Sequence, residues 1–502
     1  MSENQLYIAR VIAALTHAGT STVIRHQGIS ISGNALLCLV FRYARVLRQL
    51  GIGPGNLLGL FAPNRPEAIA VRYGAHILGA ATVYLPNPSS EARRTSLVQT
   101  IAPDLVVAFP ETQNCLRGCA GIAYAAVGFD RAGSIGRIDH LANAALGTAM
   151  PVMAQPGDLA VVSSSGGSTG VPKGSCRDFT TYSQMANAPV ESGRVQLING
   201  PLAYLSQVLV DAVLGGGGCV VLQDRYVAAD TLAAIEAERI THLFLVEPQL
   251  FEMMDHPDVG ARDLTSLRSL THIGASAPPS LRLRARRRFG PILEHTYGAS
   301  EMGLVSLLPA GEHDPSRPGS FTSAGRIRPG VDVRFRRTDG TLAASGEIGA
   351  IEVRSPGMAS GYRNNPDLTA EHFRDGWYAS GDLGRLDENG FLHIRGRAAD
   401  AQQSGDALVM PVDLEEAICH VPGVRYATVV RDGATGVDIA AIVPGSGLPV
   451  DPQRVRQTIA AKFGRDLATS LVMIGLSHIP LTEQGKPDRA AIEALARRQI
   501  AA

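Results

Sequence analysis

The stretch Ser163-Ser-Ser-Gly-Gly-Ser-Thr-Gly-Val-Pro-Lys-Gly174 comes directly after a short apolar run, Leu159-Ala-Val-Val162. The run predicts a strand, and the stretch a loop at its end. Glycines let backbone N–H groups turn inward on an anion, and serine and threonine hydroxyls add donors without burying a charge. Lys173 brings a mobile positive charge to the same concavity. The composition is that of a phosphate cradle. It is not the Walker loop, which needs Gly-Lys-Ser/Thr in succession, because here Pro172 precedes the lysine. A flexible Gly/Ser linker has a similar composition. Against that reading, Pro-Lys-Gly interrupts the linker pattern and more than three hundred residues follow.

The stretch resembles the signature loop of the adenylate-forming superfamily, which takes in acyl-CoA synthetases, amino-acid adenylation domains and luciferases. That loop reads Ser-Gly-Ser/Thr-Thr-Gly-x-Pro-Lys-Gly. The match runs through Gly167, Ser168, Thr169, Gly170, Pro172, Lys173 and Gly174, while Gly166 stands where serine or threonine is more usual. The resemblance implies ATP contacts from Ser165, Gly167, Ser168, Thr169, Gly170 and Lys173.

Further motifs follow in the order the family would place them. Thr296-Tyr-Gly-Ala-Ser-Glu301 resembles the second nucleotide motif, Tyr-Gly-x-Thr/Ser-Glu. Tyr297 offers an aromatic face to adenine, Ser300 can donate to the α-phosphate, and Glu301 is a hard oxygen ligand suited to Mg²⁺ on the phosphates. A strand end turning through Gly298 would explain the glycine but not the carboxylate. Between the two motifs lies Gly274-Ala-Ser-Ala-Pro-Pro279, after the strand-like Leu270-Thr-His-Ile273. In the family this small-residue turn packs backbone against adenine, which assigns Gly274, Ala275 and Ser276 to the nucleotide. Ala275 and Gly298 would also border the acid, with Tyr204 as a further wall of its pocket.

Asp382 in Ser380-Gly-Asp-Leu matches the aspartate that binds the ribose diol, since one carboxylate presents two acceptors to two donors. Arg397 in Arg395-Gly-Arg397 matches an arginine that also reaches the ribose. Pro480-Leu-Thr-Glu-Gln-Gly-Lys-Pro-Asp-Arg489 matches the C-terminal catalytic-lysine motif. Lys486, presented from a glycine turn, would bridge the substrate carboxylate and the α-phosphate as negative charge concentrates there. Two departures stand beside these matches. Ala399 occupies the place of a charged hinge residue, and Gln402 and Gln403 stand where isoleucine and lysine are usual. Gly405 also lies one residue further from Pro411 than the family spacing.

Composition bounds the rest. A chain of 502 residues with 45% apolar content should hold more than one domain and a large core. Lys plus Arg and Asp plus Glu both number 46, so no bulk field favours nucleic acid or an anionic membrane. No apolar run approaches the roughly 20 residues that span a bilayer. The N-terminus lacks a basic region followed by an apolar one. Six scattered cysteines suit a reducing compartment, and Cys115 with Cys119 lacks a second pair at metal-ligand spacing. A cytoplasmic protein is expected.

Along the chain, residues 34–50 carry apolar residues at helical spacing and Gly51 is a natural stop. Strands are predicted at 57–61 and 81–85, and near 104–108, 159–162, 219–222 and 242–246, alternating with helices. That alternation predicts an α/β fold with mostly parallel sheets. The stretch Trp377–Gly384 is dense in turn residues, and Asp387–Phe391 reads as a hairpin. Beyond it a compact α+β pattern begins: a helix at 412–420, strands at 426–430 and 437–443, and a basic helix at 452–463. The expected division is an adenylation core over 1–397 and a small mobile C-terminal domain over 398–502, pivoting at Ala399.

The resemblance implies attack of a small-molecule carboxylate on ATP with Mg²⁺ to give acyl-AMP, then thiolysis by coenzyme A. The alternative acceptor is the phosphopantetheine of an acyl or peptidyl carrier protein, and a remote one is a nucleotide-binding protein without catalysis. Amino-acid adenylation domains typically place an aspartate after the phosphate loop to hold the α-ammonium. Gly200–Gln207 has none, although Asp211 lies further along, so a fatty or aryl acid is expected.

Overall fold

The computed structural model describes residues 5–501 apart from 87–90, 120, 132, 166–172, 274–276, 406, 446 and 483–484. Runs such as Leu57–Phe61 and Leu105–Ala108 are apolar throughout and buried at every position. Strands covered on both faces read this way, because helices pack against each side of a parallel sheet. Among the described residues these strands build two large layers.

One layer has nine strands. Leu293–Ala299, Ser269–Ile273, His242–Val246, Val195–Ile198, Cys219–Leu222 and Thr22–His26 run parallel in that spatial order, and antiparallel strands close both edges. The other has seven. Leu159–Ser165, Ala81–Tyr84, Leu57–Phe61, Leu105–Ala108 and Ala123–Ala126 are parallel, and Lys173–Asp178 and Gly361–Tyr362 add to them antiparallel. Helices Gly33–Gln49 and Pro66–Ile77 pack in the core, touching where Gly74 lets the backbones close. A Cβ there would lie 2.9 Å from the Ala44 nitrogen.

A third, antiparallel sheet follows, and it corrects one expectation. Trp377–Gly384, read as a run of turn residues, lies within a single ten-residue strand, Trp377–Leu386, paired with Gly349–Arg354 on one side and Leu392–Arg397 on the other. Gly381 takes φ +75° and the register shifts between Leu383 and Gly384, so the turn-favouring residues serve irregularities within a strand. The hairpin predicted at 387–391 connects that strand to the next.

The chain ends in a three-stranded sheet, Val424–Arg431, Asp438–Pro444 and Val472–Gly475, with helices that include Pro411–Cys419, Pro452–Phe463 and Arg489–Ala501. One set of its apolar residues forms a local core around Leu414, Ala440 and Ile459. Another, including Tyr426, Val430 and Ile439, merges with the core beneath the nine-stranded sheet. There Phe251 and Tyr426 lie 4.8 Å apart between ring centres. Glu416 accepts bonds from the N–H and hydroxyl of Ser280, at 3.0 and 2.7 Å.

A buried carboxyl, Glu247, and a half-buried one, Glu415, act on each other across this junction. Burial, and then the charge of Glu415, raises the pKa of Glu247. Burial pushes Glu415 up to about 7, against the bonds it accepts from Val429 N–H and the Thr428 hydroxyl. A carboxyl with a raised folded pKa binds its proton more tightly in the fold than in the open chain. Its stabilisation is complete below the unfolded value of about 4.3 and is lost as pH rises towards about 7. Buried His76, His272 and His295 have lowered pKa values and act in the opposite sense, so the difference between two proteins is the useful reading. Glu415→Gln carries no titrating carboxyl, so its Tm relative to the parent is expected to rise between about pH 5 and 7 and level off above. A difference that is flat over that range in thermal melts would rule out this account.

Candidate functional site

Three loops named from the sequence sit where parallel strands end. Leu159–Ser165 leads into the phosphate loop, Ser269–Ile273 into the small-residue turn, and Leu293–Ala299 into Ser300 and Glu301. Ligands of open α/β sheets bind at such carboxyl ends, where backbone N–H groups are free of sheet pairing. Gly167, Ser168, Thr169 and Gly170, and likewise Gly274, Ala275 and Ser276, lie outside the described residues. Ser165 closes the strand, its backbone paired with Lys173. The Lys173 ammonium stands 5.4 Å from the Tyr362 ring centre, and the Tyr362 hydroxyl donates to Glu301 at 3.2 Å.

The turn that carries Ser300 and Glu301 is held by its carbonyls. Ser300 O accepts from Arg177 Nη2 at 2.5 Å and from the Ser175 hydroxyl at 3.2 Å. Glu301 O accepts from Ala359 N–H at 2.8 Å, and Met302 O from the Ser355 hydroxyl at 2.6 Å. Glu301 itself is 8% exposed. Gly298 has a packing reason for lacking a side chain: a Cβ would meet Gly303 O at 2.4 Å across the hairpin. Arg177 was not anticipated from the sequence, and neither was Tyr362. The signal available was a charged residue at a buried position of a short strand, directly after the phosphate loop.

Asp382 and Arg397 are cross-strand partners in the antiparallel sheet, so pairing alone sets them side by side. Arg397 Nε lies 3.3 Å from one Asp382 oxygen, and the Tyr297 hydroxyl donates to the other at 2.5 Å. Each carboxylate oxygen keeps a further lone pair. Burial raises the Asp382 pKa against the charge of Arg397, the Tyr297 bond and the charge of Lys486. Tyr297 is thereby clamped in a buried position by its hydroxyl.

Lys486 arrives from the other end of the chain. Gly485 takes φ +77° in the turn before it, and a Cβ at Gly485 would meet Val246 at 2.5 Å. Glycine is therefore required there twice over. Lys486 is exposed. Partial withdrawal of the ammonium from water, then the charge of Arg397, lowers its pKa, while Asp382 and Glu301 favour the cation. Lys486, Asp382, Arg397 and Glu301 thus act on one another's charge from separate segments. Ala399 lies in the 3-10 turn Ala398–Asp400, and Asp400 is ion-paired with Arg489 beyond the lysine.

Tyr204 opens the helix Tyr204–Gly215 with φ +53°, a conformation unusual for a side-chain-bearing residue. Two turns further along, Asp211 is fully engaged. It accepts from both Nη groups of buried Arg72, from Tyr73 at 2.7 Å and from Tyr182 at 2.6 Å. Burial works against the Arg72 cation, but Asp211 together with Tyr7, Tyr84 and Tyr182 outweighs it and holds that pKa high. Among the described residues no group of three or more His, Cys, Asp or Glu is placed to hold a metal ion. No described helix is long and apolar enough to cross a membrane.

Loops at strand ends and a lysine supplied by the segment after the C-terminal sheet define an adenylate-forming enzyme. The chain belongs to the AMP-binding enzyme family, whose model matches residues 12–363. It is 29% identical to the medium/long-chain-fatty-acid–CoA ligase FadD8 of Mycobacterium tuberculosis over 96% of this chain and 89% of that protein. It is 28% identical to a feruloyl-CoA synthase of an Amycolatopsis species, over 86% and 87%. Among solved structures it is similar to the amide bond synthetase McbA from Marinactinospora thermotolerans, with a TM-score of 0.83, 28% identity and coverage of 97% and 99%.

Proposed function

We propose that this protein joins a fatty or aryl carboxylic acid to coenzyme A, through an acyl-adenylate formed from ATP. The observation that carries the reading is that Lys486, the ion-paired Asp382 and Arg397, and Glu301 lie close enough for their charges to act on one another, from three stretches of the sequence that share no local structure. Asp382 and Arg397 would hold the ribose, with Tyr297 against the base. Glu301 would hold Mg²⁺ on the phosphates, where the ion offsets phosphate charge; the buried carboxylate, whose side-chain donor among the described residues is the neutral Tyr362 hydroxyl, fits that part. The substrate carboxylate attacks the α-phosphorus and pyrophosphate leaves, with Lys486 stabilising charge between them. The thiol of coenzyme A then attacks the acyl carbonyl and AMP leaves.

We place the division between a core and a mobile C-terminal domain at 397/398, with Ala399 as pivot. Six cysteines that form no disulfide suit a cytosolic setting. The amide bond synthetase among the similar structures makes an amine the first acceptor to test beside coenzyme A and a phosphopantetheinyl carrier.

The test is acid-dependent ATP–pyrophosphate exchange across fatty, aryl, dicarboxylic and amino acids, followed by product analysis with each acceptor. Exchange is expected with an apolar acid, and thioester with free coenzyme A. Proteinogenic amino acids are expected to give none. Asp211 is committed to Arg72, Tyr73 and Tyr182, and an α-ammonium buried without a partner costs several kcal/mol. Robust exchange with any amino acid would overturn the substrate class, and no exchange with any acid would overturn the activity.

A further inference from the structure

Arg177 is 2% exposed and sits in the strand that leaves the phosphate loop. Its hydrogen bonds go to neutral carbonyls: Nε to Gly357 O at 2.8 Å and Nη2 to Ser300 O at 2.5 Å. Among the described residues the carboxylate whose charge acts on it is Glu301, the next residue after the carbonyl it holds. Burying a guanidinium is costly unless something compensates its charge. A purely structural tie between two carbonyls would be met as well by a neutral amide donor. The arrangement instead sets a rigid two-pronged cation under the turn that presents Ser300 and Glu301, joining that turn to the strand after the phosphate loop and to the 355–361 segment.

We infer that Arg177 is a positioning residue for the triphosphate end of the cleft, fixing the Ser300–Met302 turn so that Glu301 stands ready for magnesium-bound ATP. The inference rests on the proposed adenylation reading. The mechanical and electrostatic effects of Arg177 oppose each other, which makes the sign of the outcome informative. If its bonds to the turn dominate, losing it weakens magnesium-dependent ATP binding. If its charge dominates, losing it removes a repulsion and strengthens binding of the cation.

The experiment follows the rise in Tm that ATP produces as Mg²⁺ is titrated, and separately the rise that AMP produces without metal. It compares the parent, Arg177→Met and Arg177→Lys. In Arg177→Met the half-maximal Mg²⁺ concentration is expected to rise roughly ten- to a hundredfold, as when a hydrogen bond to a charged group is lost. Arg177→Lys, which keeps the charge and one donor, should fall between. The AMP response should fall far less than the ATP response in both, because AMP shares only the α-phosphate contact of Ser300 with the turn and otherwise needs Tyr297, Asp382 and Arg397. An unmoved or lowered Mg²⁺ requirement would overturn the assignment. Loss of the AMP response in step with the ATP response, in whichever variant folds, would reduce Arg177 to general support and overturn it too. A parent protein that responds to neither nucleotide would defeat the adenylation reading and this inference together.

Discussion

Replacing Lys486 with alanine is expected to lower acid-dependent pyrophosphate exchange by at least about 10²-fold, the usual effect of deleting one electrostatic group that faces a transition state. Thiolysis of supplied acyl-adenylate should survive the same change. The reasoning starts from position. The Lys486 ammonium shares a charge environment with Asp382, Glu301 and Arg397, and is the flexible member of that set. During adenylation, negative charge gathers between the incoming carboxylate and the α-phosphate, where a long, mobile ammonium can follow it. During thiolysis that charge departs with AMP and the lysine has less to stabilise. Lys486→Arg keeps the charge but enlarges the head group, so it should recover only part of the exchange rate. Equal losses in both half-reactions of Lys486→Ala would move the residue to a structural role.

Asp211→Ala is expected to destabilise the protein by about 3–5 kcal/mol, because it leaves the Arg72 cation buried without a partner. Arg72 and Asp211 are 1% and 0% exposed, so water cannot replace the lost carboxylate. Tyr73 and Tyr182 lose their acceptor at the same time. Arg72→Met combined with Asp211→Leu removes both charges and should recover most of the loss, since paired burial of charge is only weakly stabilising in net terms. Denaturant midpoints of the three proteins measure this. A single variant within about 1 kcal/mol of the parent, the scale of a surface pair, would mean that the pair is hydrated in solution.

Much of this was legible in the sequence. The apolar runs at 57–61, 159–162 and 242–246 are strands, and the basic segment 452–463 is the helix Pro452–Phe463. Periodicity is a local signal and survives without knowledge of neighbours. Trp377–Gly384 failed as a reading because glycine and aspartate in a strand report bulges and register shifts as readily as turns, and only pairing tells them apart. Tyr204 was named as a pocket wall, and the structure adds its positive φ, a feature no residue type announces.

The sequence alone determined the α/β class, the order of the motifs and the residue types available for nucleotide chemistry, because strand period and turn composition are written within a few residues of each other. The tertiary structure decided what those residues face. Whether Asp211 was open to an ammonium or closed on Arg72 depended on a helix 139 positions away in sequence. The clamp of Arg177 on Ser300 spans 123 positions. Such pairings follow from how two sheets and their helices stack, and the free energy that fixes them is shared across the whole core.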